Sequence, residues 1–298
     1  MNADGAQVSA SGTARLILVV GVGRSGTSLL TGILGALGIR IPQPEIQADD
    51  TNPRGFGEPR WVVGFHRRLL RELRVTVNDA RPTAWDLTGG TGTSGELRDW
   101  LIGQLANPGT VAVKDPRTVW FLPLWARTAE GMGVQPRYVT MLRHPAEIVR
   151  SAQRHYGNWQ TDAGRAAGWL NVMLESERAT RGGLRAFARY EDLLADWHTE
   201  VQRLGRQVEL PDLATAERRP AVDQLVDPSL HRNRARWDGL EVSEPLRALA
   251  EQSWELVQRL VHEDGAEVRA ELDAARAEYR RLYADAEAIA SSSVVAAR

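Results

Sequence analysis

The sequence has no cysteine, which excludes disulfides, thiolate metal sites and cysteine nucleophiles. It has almost no net charge, −1 over 298 residues, and so lacks the basic footprint of a nucleic-acid binder. No apolar run approaches the ~20 residues that a bilayer span requires. Residues 1–14 are small and polar, without a hydrophobic signal core, and read as a disordered tail. A soluble, cytoplasmic protein is therefore expected. The 6 histidines are scattered, with no H-E-x-x-H pair and no metal-ligand cluster, so no metal is expected. Internal repeats are absent. What remains is ordinary globular composition, 43% hydrophobic and 25% charged, long enough for one large or two small cores.

The densest signal lies near the start. Leu16 to Val20 are five apolar residues, three of them β-branched, the pattern of a strand buried on both faces of a parallel sheet. Gly21, Gly23 and Gly26 follow, so the backbone can turn tightly and approach a ligand with no Cβ in the way. Thr27 or Ser28 then opens a helix with Leu29, Leu30, Ile33 and Leu37 at helical spacing. This order would bring the amides of Gly26, Thr27 and Ser28 onto one point, where the helix dipole suits an anion. Arg24 adds a full positive charge. Gly21 and Gly26 have the spacing of the triphosphatase loop G-x-x-x-x-G-K-[ST], but Thr27 stands where lysine is required. The same glycines satisfy G-x-G-x-x-G. The acid which that pattern needs about 20 residues on meets only Glu45, Asp49 and Asp50 in a proline-rich loop.

Further along, Trp61 to Leu73 reads as an amphipathic helix, residues 81–95 as a mobile surface loop around Trp85, and Leu97 to Leu105 as a short helix. Thr110 to Val113 is a buried strand followed by Lys114-Asp115-Pro116-Arg117 and a helix over 118–132. Arg137 to Leu142 is another strand, ending in Arg143-His144-Pro145, with Pro145 as the first residue of the next helix. Residues 159–181 read as mostly helical, 185–189 as a fourth strand, and Tyr190 as the start of a helix to about Gly205. Residues 210–238 look irregular, and Pro245 to His262 is a helix. Val268, Leu272, Ala275, Tyr279, Leu282, Ala286 and Ile289 repeat at alternating spacings of four and three. That pattern fits a helix packed on its own domain, or the seam of a homodimer. The recurrent strand–polar–helix alternation predicts an α/β fold with a central parallel β-sheet flanked by helices and a helical C-terminal region. It divides as tail 1–14, main domain 15–265, and C-terminal helix and tail 266–298. Ligands in such sheets bind beyond the carboxyl ends of the strands. Gly23 to Ser28, Lys114 to Arg117 and Arg143 to Ser151 should therefore meet on folding.

Together these motifs resemble the bacterial branch of the sulfotransferases that use 3′-phosphoadenosine 5′-phosphosulfate (PAPS). Gly23-Arg24-Ser25-Gly26-Thr27-Ser28 looks like their loop for the 5′-phosphosulfate. Arg143, with Ser151 eight residues on, looks like their 3′-phosphate site. Asn52-Pro53-Arg54-Gly55-Phe56-Gly57-Glu58 resembles a segment whose final Glu is the base. Lys114-Asp115-Pro116-Arg117 and Tyr190-Glu191-Asp192-Leu193 also recur there. The resemblance covers about residues 16–240. It implies a P-loop-like fold and sulfuryl transfer from PAPS to a hydroxyl or amine of a small-molecule, carbohydrate or lipid acceptor. The C-terminal Arg-Lys-Gly loop of the animal enzymes has no clear match; Arg232 and Arg234 stand in for it.

The chemistry of the residues gives each a role. Arg143 can fork onto a phosphate, and Arg24 can neutralise charge developing on the leaving oxygen. Glu58 is the first choice for the base and His66 the second; Glu58 also fits a helix-start charge, and His66 a partly exposed helix residue. Lys114 either assists or pairs with Asp115 or Glu191. Trp85, Trp120, Trp125, Trp159 and Trp169 are acceptor wall or core. Two other readings stay open: a nucleotide-dependent kinase with a degenerate phosphate loop, and a nucleotide-binding module without catalysis.

Overall fold

The structure, a computed structural model, describes residues 14–49, 52, 55–92, 94–157, 159–227 and 236–295. The apolar run Arg15–Val20 forms strand β1, and every residue after Arg15 in it is buried. Thr110–Lys114 is β2, Pro136–Leu142 is β3 and Leu184–Arg189 is β4. All pair in parallel, in the order β2-β1-β3-β4. Leu18 lies opposite Val113 on one side and Tyr138 on the other. The four carboxyl ends therefore share one edge of the sheet. The chain reverses its direction of travel between β1 and β3, which opens a crevice outside their carboxyl ends.

The pleat sorts β1 into two cores. Leu16, Leu18 and Val20 face a layer with Trp120, Trp125 and Trp169. Ile17 and Val19 face the other, with Leu30, Ile33, Leu193 and Trp197. The second layer comes from α1 (Thr27–Ala36) and α8 (Tyr190–Gln207). The first comes from α2 (Arg60–Glu72), α3 (Thr83–Gly89), α4 (Gly95–Leu105), α5 (Leu122–Glu130), α6 (Pro145–Tyr156) and α7 (Asp162–Ala179). The short helices α9 (Pro211–Ala214) and α10 (Pro220–Leu225) precede α11 (Glu244–Arg259) and α12 (Ala266–Val295).

Four local expectations are corrected. Residues 81–95 are not all loop: α3 occupies Thr83–Gly89 and buries Trp85, in a helix too short to show a period. The helix expected over 118–132 begins as a 3₁₀ turn, Pro116–Phe121, because the Asp115 side chain accepts from the Arg117 amide. α7 starts at Asp162 rather than 159, where Thr161 Oγ1 caps the Gly164 amide at 3.0 Å. Residues 210–238 hold α9 and α10, each opened by proline.

The spacing in α12 is used within the chain over its first half. Val268, Leu272, Ala275 and Tyr279 are buried in the first core, and the Tyr279 hydroxyl donates to the Ala80 carbonyl. Ala286 and Ile289, further along the same pattern, are exposed. Among the described residues no helix is long and apolar enough to cross a membrane.

Candidate active site

Beyond β1 the backbone turns through Gly26, whose φ is +98°. A Cβ there would stand 2.3 Å from Tyr190 Cδ2, so the loop can lie on the tyrosine ring only because residue 26 is glycine. Arg24 also has a left-handed backbone, φ 74°, a strained state for a residue with a side chain. Two contacts hold it. Its carbonyl accepts from Arg143 Nη1 at 3.1 Å, and its Nε donates to Ser151 Oγ at 3.1 Å. α1 opens with no side-chain cap and no acid in its first turn. Its first amides are therefore left for an anion. Gly23, Arg24, Gly26, Thr27 and Ser28 line the cavity in front of them. Ser25 is different. It is fully buried, its amide donates to the Val22 carbonyl, and its hydroxyl, beneath the loop against Gly21, has no partner among the described residues.

Arg143 follows β3 and reaches the same loop. Its Nε donates to Glu147 Oε2 at 2.9 Å, and its guanidinium lies 4.5 Å over the Tyr190 ring. Together with the contact to Arg24, these leave Nη2 unengaged among the described residues. Arg143 and Ser151, separate in sequence from residues 23–28, thus form one wall with them.

The third part of the wall is an ion pair. Glu58, 7% exposed, accepts from Lys114 Nζ at 2.6 Å through Oε1. Lys114 also donates to the Phe56 carbonyl at 3.1 Å and to Ser28 Oγ at 3.3 Å. An ammonium has three donors, and each has an acceptor. Lys114 is the only lysine in the chain. Its acid is Glu58, not Asp115 or Glu191: Asp115 faces His66 and Arg117, and Glu191 faces Arg189. Glu58 Oε2 lies 3.8 Å from Arg117 Nη1, beyond hydrogen-bond reach, and it accepts no hydrogen bond among the described residues. Asn52 closes this corner, donating to Ser28 Oγ at 3.2 Å and to the Gly55 carbonyl at 2.6 Å.

The structure corrects the expectation that His66 is a partly exposed helix residue. It is fully buried, behind the cavity wall, with both ring nitrogens engaged. Trp125 Nε1, which can only donate, lies 2.9 Å from Nε2. The ring proton is therefore on Nδ1, directed at Asp115 Oδ2 at 2.8 Å. Burial opposes ionisation of Asp115. The hydrogen bond from His66 and the charge of Arg117 outweigh it and hold the carboxyl well below the usual carboxylate range. Asp115 in turn holds Arg117 Nη1 at 2.5 Å. The His66–Asp115 pair thus positions Arg117 beside Glu58.

These parts enclose a cavity of about 930 Å³. Arg24, Arg67, Lys114, Arg117, Arg143, Arg154 and Arg165 line it, against Asp49, Glu58 and Asp227. The cavity thus carries an excess of cations in a chain with almost no net charge. Arg67, Tyr156 and Arg165 are lining residues that sequence reasoning did not assign, because each sits on a helix face with no motif of its own. Of the tryptophans, only Trp159 is exposed (64%) and lines the cavity; Trp85, Trp120, Trp125 and Trp169 are core. Arg232 and Arg234 lie outside the described residues, as do Asp50, Pro53, Arg54 and residues 1–13 of the tail.

No protein-family model matches this chain, and no curated protein matches it by sequence. Among solved structures it is similar to the sulfotransferase domain from the olefin synthase of Synechococcus PCC 7002, with 14% identity, 90% of this chain and 95% of that chain covered, and a TM-score of 0.41. It is similar also to the sulfotransferase domain from the curacin biosynthetic pathway, with 13% identity, 90% and 98% covered, and a TM-score of 0.42.

Proposed function

We propose that the chain transfers a sulfuryl group from PAPS to a hydroxyl group. The observation that carries this reading is Glu58: a carboxylate at the cavity wall, fixed through Oε1 by Lys114 at 2.6 Å, with Oε2 facing Arg117 Nη1 at 3.8 Å and accepting no hydrogen bond among the described residues. That is the geometry of a general base, oriented by one oxygen and open at the other. The motifs that resemble PAPS-dependent enzymes supply the donor site. The amides of Gly26, Thr27 and Ser28, with Arg24, hold the 5′-phosphosulfate; Arg143 Nη2 and the Ser151 hydroxyl hold the 3′-phosphate. The fit is chemical: an uncapped helix start and a guanidinium with one free edge both call for anions.

In the transfer, the acceptor oxygen forms a bond to sulfur while the bond from sulfur to the 5′-phosphate oxygen breaks. The acceptor proton passes to Glu58 Oε2, and the electron pair of the broken bond stays on the phosphate oxygen. Arg24 and the loop amides stabilise that developing charge. Lys114 bridges base and loop, contacting both Glu58 and Ser28.

Adenosine 3′,5′-bisphosphate should raise the melting temperature without added metal, and ATP with Mg²⁺ should not. The reverse outcome, read by differential scanning calorimetry, would favour phosphoryl transfer. Bisphosphate binding without transfer of labelled sulfur to any hydroxyl acceptor would favour a non-catalytic module.

A further inference from the structure

The cavity holds more positive charge than the donor accounts for. Arg24, Lys114 and Arg143 serve the donor and the base. Arg67 is left over. It lies in α2, about 10 Å along the helix axis from Arg60, and it lines the cavity. Its side chain is exposed and makes no ion pair or hydrogen bond among the described residues. Its neighbour Arg68, which does not line the cavity, is paired with Glu96.

The same cavity also has an apolar wall open to water. Trp159 is 64% exposed and Val77 37% exposed, and both line the cavity. Gln160 Nε2 donates to the Asn78 carbonyl at 3.3 Å, which joins the two segments into one lip. Arg165 fixes the turn beneath, donating to the Gly157 carbonyl and facing Asp162 at 3.6 Å. An exposed indole on a cavity lip offers a broad flat surface for a ring. A guanidinium on the same cavity, without a partner among the described residues, favours a negative group over a neutral one.

We propose that the acceptor is an anionic hydroxyl compound with a flat apolar face. Its negative group rests on Arg67, its ring lies on Trp159 and Val77, and its hydroxyl is presented to Glu58. This rests on the reading of the site as a sulfuryl transferase.

The test uses two probes that share the hydroxyphenyl ring and differ in charge, 4-hydroxyphenylacetate and its methyl ester. Each is titrated calorimetrically, at low salt, into the full chain saturated with adenosine 3′,5′-bisphosphate. The acid should bind at least about tenfold more tightly than the ester, the scale of one hydrogen bond to a charged group. Arg67→Ala should remove most of that preference, and Arg68→Ala should keep it. Equal affinities, binding of neither probe, or an undiminished preference in Arg67→Ala would overturn the acceptor class. If the bisphosphate binds in those cases, the donor reading stands and only the acceptor class is lost. If the bisphosphate itself does not bind, the transferase reading falls and the acceptor class with it.

Discussion

At the scale of single residues, the proposed transfer gives Glu58 and Arg143 separable roles. Glu58→Gln keeps shape and hydrogen-bonding reach, so Lys114 retains an acceptor, but basicity is gone. Turnover should fall by ~10²–10⁴, the usual contribution of a general base, while bisphosphate affinity persists. A near wild-type rate in that variant would remove Glu58 from the reaction. Arg143→Ala removes a guanidinium shared by the Arg24 carbonyl, Glu147 and the Tyr190 face. It should weaken adenosine 3′,5′-bisphosphate by about tenfold to a hundredfold, the scale of a hydrogen bond to a charged group. It should weaken the 5′-monophosphate far less. Equal losses for the two ligands, measured by calorimetry, would show that Arg143 supports the loop without reading the 3′-phosphate.

At the scale of elements, α2 meets the chain after β2 through buried polar contacts. His66 on α2 joins Asp115, at the end of β2, to Trp125 on α5. An aromatic stack runs alongside, with Trp61 over Trp100 at 4.8 Å and over Phe65 at 5.0 Å between ring centroids. His66→Ala leaves Trp125 Nε1 and Asp115 each short of a partner in a dry interior, at a cost of ~1–3 kcal/mol per group. The melting temperature should drop by several degrees. The pH dependence of turnover should keep its shape, because the proposed proton acceptor is Glu58. A folded but inactive His66→Ala protein would reverse the assignment of the base. That His66 is buried was not legible in the sequence. Its place in α2 was readable from the apolar period, but the partners that bury it come from residues 49 and 59 positions away. α3 escaped for the opposite reason: seven residues are two turns, too few for periodicity to register.

At the scale of the whole molecule, the C-terminal region is tied to the sheet by charge as well as by packing. Asp264, just before α12, takes both its oxygens to Arg185 of β4 at 2.6 Å and one to Arg269 at 2.8 Å. Burial pushes its carboxyl up, and the hydrogen bonds from Arg185 and Arg269 outweigh that, lowering it to about 2. A carboxylate lowered on folding adds stability above its unfolded value, near ~4. That stability is lost as pH falls through the folded value. Asp264→Asn should therefore melt a few degrees below wild type at pH 6. The gap should close as pH drops from about 4 toward 2. A gap that persists at pH 2 would assign the effect to packing instead.

The sequence by itself determined the alternation of strands and helices, the glycine loop opening α1, and the three stretches that meet at the carboxyl edge of the sheet. These follow from local rules: β-branched apolar runs, glycines at the turn, proline at the first helical position. Only the tertiary structure decided which charges face each other. Lys114 chose Glu58 over the adjacent Asp115 because the sheet directs the lysine toward the loop of residues 55–58 and turns Asp115 back to His66. Arg67 stands on the cavity without a partner among the described residues while Arg68, one residue on, pairs with Glu96, because a helix rotates neighbouring side chains by about 100°. Such pairings depend on a few ångströms between residues far apart in the chain, and no local pattern encodes that distance.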